Sequence, residues 1–488
     1  MQTESTTQFA VNSFNLFELD GRWYVMVIHN TSLMGVDEVM TSILEGLVGR
    51  DVLGSAQIRE LVVEKAGEAD VDSLIEELMT FEILEDLGVK ADREAVFAKL
   101  DTQLAELPVA NLVTQVAKDC NLRCGYCYAE FGLYGGESGM MKPEMARSHL
   151  DYLLLNSGEI KDVTFTLFGG EPMMNWAVCE DVIRYGRERE KIYGKRVNFT
   201  MTTNGTLLTP EIADFIVENE VSVTVSIDGP KEVNDEIRPT AEGEGSFDTI
   251  IENLKLLTGR MRVPARVTLT RKFRDVQVLV DSLLEAGFTD VGVSPVSSTD
   301  PELKLTPSEM QDVLDGFQVC VDQFVAEALE NRIYGFTNIV SLMQQFHEGS
   351  ARSHACGAGV QLFAADSDGD FYLCHRFSGM KDYSVGNVKD GIDQEIRRDL
   401  LDRMHVSNKD HCSECEIRHV CAGGCYYYSE LYEGDVSKTY AFNCNFLRAW
   451  YRMGLMALVR ITEANPSFLE RLWGRPGTEP LTASTRDV

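Results

Sequence analysis

Between about residues 110 and 300 the chain alternates short β-branched runs with helical stretches, and this rhythm restricts its fold more than any other feature. LVTQVAK, VTFTLF, VNFTMTT, VSVTVSI, ARVTLT and DVGVSPV are six runs of strand length. Amphipathic stretches such as PEMARSHLDYLLLN and FDTIIENLKLL lie between them. Strands joined through helices pair in parallel, because a parallel pair needs a long crossover and buries both faces of its sheet. Six such units predict an α/β fold, a partial (β/α)6 barrel of the TIM type over residues 110–300. Unusual residues follow the strands at a common level: CNLRCGYC after the first, GGEP after the second, TNG after the third, and SIDG closing the fourth. Ligands of parallel barrels bind at the carboxyl-terminal rim, so the four signatures predict a single site.

The flanks read differently. FNLFELDGRWYVMVI holds two strand-like runs joined by Asp20-Gly21, the dipeptide of a two-residue hairpin. Three helical patterns follow (VDEVMTSILEGL, GSAQIRELVVEKA and VDSLIEELMTFEIL), so residues 1–85 are expected to form a winged-helix-like module. Residues 86–109, charged and closed by a proline, read as a linker, and 301–349 as a helical bridge. In 350–450 periodicity gives way to glycines and cysteines, the mark of a region held together by metal. Residues 451–488 return to helix and end in a polar tail.

Composition excludes some functions. With 77 acidic against 45 basic residues the net charge is −32, which repels phosphate backbones and excludes nucleic acid as a partner. No apolar run approaches the ~20 residues that span a bilayer. The start, MQTESTTQFAVNSF, lacks an export pattern, so no membrane and a cytoplasmic location are expected. In that reducing setting twelve cysteines indicate metal rather than disulfides. Ten fall in two groups: Cys120, Cys124 and Cys127, then Cys356, Cys374, Cys412, Cys415, Cys421, Cys425 and Cys444. Cys179 and Cys320 stand alone in helical patterns as small buried residues.

Three thiolates on one tight loop suit three irons of a [4Fe–4S] cluster and leave the fourth iron open to a chelating small molecule. Here CNLRCGYCYAE resembles the cluster-binding loop of the radical S-adenosylmethionine (SAM) enzymes, with GGEP at 169–172 and SIDGPKEVNDEIRP at 226–239 completing the resemblance. It implies that Cys120, Cys124 and Cys127 hold the catalytic cluster and that Tyr126 lies near the adenine. It implies further that Gly169, Gly170 and Glu171 receive the methionyl amine, and Ser226 and Arg238 the ribose and carboxylate. Asn204 is a turn residue with a ribose contact as its alternative. Asp228 is a candidate base, a turn-stabilising aspartate being the ordinary reading.

The late cysteines resemble the seven-cysteine SPASM extension of peptide-modifying radical enzymes. The resemblance implies two auxiliary [4Fe–4S] clusters, one on Cys412, Cys415, Cys421 and Cys444, the other on Cys356, Cys374 and Cys425. Sulfatase-maturing relatives add a cysteine shortly before the first of the seven, where this chain has Ser350; His354 is a nearby alternative. They also carry an aspartate after the second, where this chain has His375. A second open iron able to hold a substrate thiolate is the expectation. LFELDGRWYVMVIHNTSLMGVDEVMTSILEGL is similar to the leader-recognition module of enzymes that modify ribosomally made peptides, which bind by strand addition; a ligand-free capping domain is the alternative. Together these imply a peptide or small-protein substrate and a low-potential electron donor such as flavodoxin or ferredoxin. The reaction implied is hydrogen abstraction by a 5′-deoxyadenosyl radical, then thioether formation. The group resembled includes the quinohemoprotein amine dehydrogenase maturase, which joins cysteine sulfur to a side-chain carbon of Asp or Glu. Carbon–carbon cross-linking, epimerisation and formylglycine formation are the alternatives within the family, and a non-enzymatic iron–sulfur carrier the alternative outside it.

Overall fold

The computed structural model describes residues 7–349, 351–474 and 482–483; Ser350 and most of the expected polar tail lie outside the described residues. The amino-terminal part opens with β1 (Gln8–Val11), β2 (Phe14–Leu19), β3 (Arg22–Val27) and β4 (Leu33–Val36). It continues through α1 (Glu38–Leu47), β5 (Val52–Gly54), α2 (Ser55–Ala66), α3 (Val71–Thr80) and β6 (Leu84–Asp86). β2 and β3 form the expected hairpin, with Asp20 and Gly21 both at positive φ, as a tight turn between twisted strands requires. The sequence reading omits β4, which extends that sheet to β2-β3-β4, and a second sheet, β5-β1-β6. The three helices and both sheets bury a core of their own, with Val25, Ile43, Leu44, Val62 and Leu78 fully enclosed.

The expected linker is a helix. α4 (Leu87–Gln103) is capped by Asp86, whose carboxylate accepts from the N–H groups of Gly88 and Val89. None of its residues is buried, which is why its sequence shows no apolar stripe.

The barrel follows: β7 (Asn111–Lys118), β8 (Gly139–Met140), α5 (Pro143–Asn156), β9 (Asp162–Gly169), α6 (Trp176–Tyr193), β10 (Arg196–Thr203), α7 (Pro210–Glu218) and β11 (Ser222–Ser226). Next come α8 (Lys231–Ile237), α9 (Phe247–Leu254), β12 (Pro264–Leu269), α10 (Val276–Glu285) and β13 (Asp290–Pro295). The six long strands pair in parallel in the order β13-β12-β11-β10-β9-β7. Burial alternates along them: Val163, Phe165 and Leu167 of β9, and Val197, Phe199 and Met201 of β10, pack outward against the helices, while the residues between line the interior. α11 (Pro307–Leu329), β14 (Arg332–Ile333) and α12 (Thr337–His347) complete the helical stretch after the barrel.

Residues beyond 350 carry more order than their sequence suggests. β15 (Leu362–Ala365) adds to β7 as a seventh parallel strand, and β16 (Asp370–Tyr372), β17 (Ser384–Asn387) and β18 (Gly391–Ile392) extend the sheet antiparallel. α13 (Gln394–Met404), α14 (Arg418–Cys421), α15 (Tyr426–Glu433), α16 (Ala441–Ala464) and α17 (Pro466–Leu472) follow. α16 packs along α11 and α12 and meets the amino-terminal sheet, where Val459 closes on Leu19 and Tyr24. Among the described residues no helix is long and apolar enough to cross a membrane.

Candidate active site

The rim at the carboxyl ends of the barrel strands gathers all four signatures. The loop after β7 carries Cys120, Cys124 and Cys127, and is pinned to the SIDG segment's far end by backbone bonds from Arg123 to Pro239 (2.7 Å) and from Gly125 to Ile237 (3.1 Å). Two of its sulfurs accept N–H bonds, Cys120 from Leu122 and Cys127 from Phe131. GGEP approaches the same loop backbone to backbone: Gly170 donates to Ala117 and Glu171 to Asp119, both at 2.9 Å. Here glycine is obligatory, since a Cβ on Gly170 would stand 2.1 Å from the Asp119 carbonyl oxygen.

Glu171 is held by the rim's own donors. It is buried, and its oxygens accept from Met173 N–H (2.9 Å), Thr203 Oγ (2.7 Å) and Asn204 N–H (2.7 Å). Burial raises its pKa and these three donors oppose the rise. The side chain thus ties GGEP to the TNG turn. Asn204 extends the tie to the cysteine loop through Asn121 Oδ1 at 2.9 Å.

Asp228 is likewise bound into the rim. Its Oδ1 accepts from Thr268 N–H (2.8 Å) and its Oδ2 from the Tyr126 hydroxyl (2.6 Å), which Arg238 also contacts. Arg238 Nη1 lies 3.6 Å from the carboxylate. Burial pushes the Asp228 carboxyl up, with Arg238 opposing it. Each oxygen of Asp228 is thus engaged by a neighbour on the rim. Ser226 ends β11 half-buried beside this cluster.

The late cysteines fall into two sets. Burial, with smaller contributions from neighbouring Cys425 and Cys356, pushes the Cys374 thiol up to about 12. Cys412, Cys415 and Cys444 act in the same way on Cys421, also pushed up to about 12 mainly by burial. His354 belongs to neither set: its Nε2 meets the Leu401 carbonyl and its Nδ1 Ser353 Oγ, both at 3.0 Å. Among the described residues, no three His, Cys, Asp or Glu side chains converge on a single ion-sized site.

The family model for the radical SAM superfamily matches residues 114–271. A serine-type anaerobic sulfatase-maturating enzyme of Bacteroides thetaiotaomicron is 35% identical over 377 residues, 69% of this chain and 85% of that protein. The chain is a radical SAM enzyme. A cysteine-type counterpart from Clostridium novyi is 26% identical over 64% of this chain and 87% of its own length. Among solved structures, anSMEcpe with bound AdoMet superposes with a TM-score of 0.63 at 20% identity, covering 74% of this chain and all of that one. Streptococcus suis SuiB bound to its precursor peptide SuiA reaches 0.51 at 16% identity over 90% and 98% of the two chains.

Radical SAM enzymes work with a [4Fe–4S] cluster and S-adenosylmethionine, and the donors of this one fit such groups. Burial raises the Cys120 thiol to about 12 and also raises those of Cys124 and Cys356. Cys120, Cys124 and Cys127 stand close enough to act on one another electrostatically, while Cys179 and Cys320 sit fully buried within α6 and α11. An aromatic wall between the early trio and the Cys356 set escapes the sequence reading. The Tyr128 ring lies about 6 Å from those of Tyr134, His375 and Tyr427, with the Arg376 guanidinium 4.8 Å above it. His375 packs against Phe168 with the rings tilted and their centroids 4.7 Å apart, and burial drops its pKa to about 3. The signal was present in HRF after Cys374 and YYY after Cys425, aromatic runs abutting candidate ligands.

Proposed function

We propose that this radical SAM enzyme is a peptide maturase that joins a substrate cysteine sulfur to a carbon of the same peptide. When bound, the cluster and S-adenosylmethionine supply a hydrogen-abstracting 5′-deoxyadenosyl radical. The chain's part is to place the reactants. Cys120, Cys124 and Cys127 would hold the catalytic cluster, and Gly169 and Gly170 bring backbone close enough to line the methionyl end. Ser226, Arg238 and Tyr126 surround the nucleoside side of the same rim. Cys412, Cys415, Cys421 and Cys444 would hold one auxiliary cluster, and Cys356, Cys374 and Cys425 the other.

The observation that carries the reading is the shortage at this last set. Three thiols gather there, the remaining cysteines belong elsewhere, and His354 spends both ring nitrogens on other partners. A substrate thiol suits the vacant place, because iron lowers a thiol's pKa and readies its nucleophilic form. The amino-terminal sheet, with β2 and β4 as its outer strands, suits an extended leader segment by strand addition. A low-potential flavodoxin or ferredoxin would supply electrons.

Likeness to the Bacteroides thetaiotaomicron maturase favours formylglycine formation as a second reading. His375, neutral and packed among rings, offers no carboxylate base for it. Co-expression with short cysteine-containing reading frames separates the two. A thioether product is lighter by two hydrogen atoms and its cysteine resists alkylation. A free thiol in the modified peptide overturns the cross-link, and an aldehyde in its place establishes the second reading.

A further inference from the structure

Lys409 lies on the loop between α13 and α14, three residues before Cys412, and only 4% of it is exposed. Its Nζ donates to Ser429 Oγ and to the Lys438 carbonyl, each at 3.2 Å, and stands 5.3 Å from the centre of the Tyr426 ring. Both acceptors are uncharged. Among the described residues no carboxylate lies within ion-pair distance of it, and neighbouring Asp410 is occupied by the N–H and hydroxyl of Thr439. A buried ammonium without a counter-charge is costly enough that proteins rarely keep one.

The counter-charge has an identifiable source. After burial, which pulls its pKa down, the groups acting most on Lys409 are Cys412 and Cys421 of the four-cysteine set and Cys425 of the three-cysteine set. The other cations acting on the late cysteines each serve one set: Arg376 acts with Cys374 and Cys425, Arg352 with Cys356, and Arg448 and Arg418 with Cys415. Lys409 touches both: its carbonyl accepts the Cys412 N–H at 3.4 Å, and its stem packs on Gly423, between Cys421 and Cys425. Its position is enforced by Gly423, where a Cβ would fall 2.3 Å from Lys409 Cδ. Gly423 is at positive φ between Cys421 and Cys425, so the same turn that presents these ligands also makes room for the lysine stem.

We propose that Lys409 is the common counter-ion of the two auxiliary clusters, a positioning residue for charge that raises the reduction potential of both together. A fixed positive charge favours the more negative, reduced state of each neighbour, and one charge in reach of two acts on both. The inference rests on the auxiliary assignment made under the proposed function.

The test is potentiometric. In protein whose Cys120, Cys124 and Cys127 are all replaced by alanine, reconstituted anaerobically, electron paramagnetic resonance during a redox titration reports the auxiliary couples alone. Lys409→Met is expected to shift both midpoints to more negative potential at unchanged iron content, and Lys409→Arg to restore them. Unchanged midpoints in iron-replete Lys409→Met, or a shift in one couple only, overturn the proposal. Should Lys409→Met lose its iron, Lys409→Arg decides: wild-type iron and potentials support the assignment, and loss of iron there overturns it. No iron–sulfur signal at all in the triple-alanine background refutes instead the auxiliary clusters themselves.

Discussion

Gly170→Ala tests the rim directly. The new Cβ would lie 2.1 Å from the Asp119 carbonyl oxygen, 2.5 Å from its carbon and 3.0 Å from the Gly132 Cα, all backbone atoms that no side-chain rotation relieves. Ordinary Cβ contacts stay beyond 3.0 Å, so GGEP and the cysteine loop must part. Parting stretches the bonds from Gly170 to Ala117 and from Glu171 to Asp119. At roughly 1 kcal/mol net for each bond, and about 1–3 kcal/mol for any buried group left unpaired, ~2–4 kcal/mol of local stability is lost. The displacement, about 1 Å, falls one residue from Cys120, and misplacement on that scale costs on the order of 10²-fold in rate. The assay is anaerobic reconstitution, reduction with dithionite, and chromatographic measurement of 5′-deoxyadenosine, beside denaturant unfolding. Gly139→Ala, on β8 at the same end of β7, meets open space and should behave as wild type. If Gly170→Ala forms 5′-deoxyadenosine as fast as Gly139→Ala does, the close approach is not what builds the site.

Three further outcomes are expected. Cys124→Ala should abolish cleavage of S-adenosylmethionine while iron analysis still finds the auxiliary share; loss of all iron would mean that the early trio and the late cysteines do not bind it independently. Asp228→Asn, keeping an acceptor for Thr268 but losing the charge beside Arg238, should weaken S-adenosylmethionine binding along with turnover, measured by equilibrium dialysis; turnover lost at full affinity would support the role of base. His149 is fully buried in α5, its ring nitrogens have no hydrogen-bond partner among the described residues, and burial drops its pKa to about 3. With an unfolded value of about 6.5, the unfolded chain takes up the proton first as pH falls, so stability declines by ~1.4 kcal/mol per pH unit between those values. Denaturant unfolding at pH 7 and pH 5 should show that slope reduced in His149→Leu, and equal slopes in the two proteins would refute the assignment.

The barrel was legible because strand burial writes itself into sequence: β9 and β10 alternate enclosed and lumen-facing residues, and their β-branched composition suits that surface. The hairpin was legible because Asp20 and Gly21 tolerate positive φ. α4 was not, since a helix that buries nothing leaves no stripe to read. Four residues, LFAA, were too few to announce β15, which gains its partner from β7 some 250 positions earlier. The rim positions were found by their signatures, but not what their side chains do. The ties of Glu171 to Thr203 and Asn204, neighbours only after folding, left no mark in GGEP. Lys409 sat inconspicuously in a polar loop for the same reason.

The hydrogen bonding of β15 to β7, from Leu362 opposite Asn111 to Ala365 opposite Thr114, has a mechanical meaning. The strand that leads into the first trio of thiols and the strand that precedes Cys374 are rungs of one sheet, so the gap between these two cysteine groups is fixed like a gauge between rails. On the proposed function, a guest peptide would thread between stationary posts, and whatever yields to admit it would belong to the loops and the amino-terminal part.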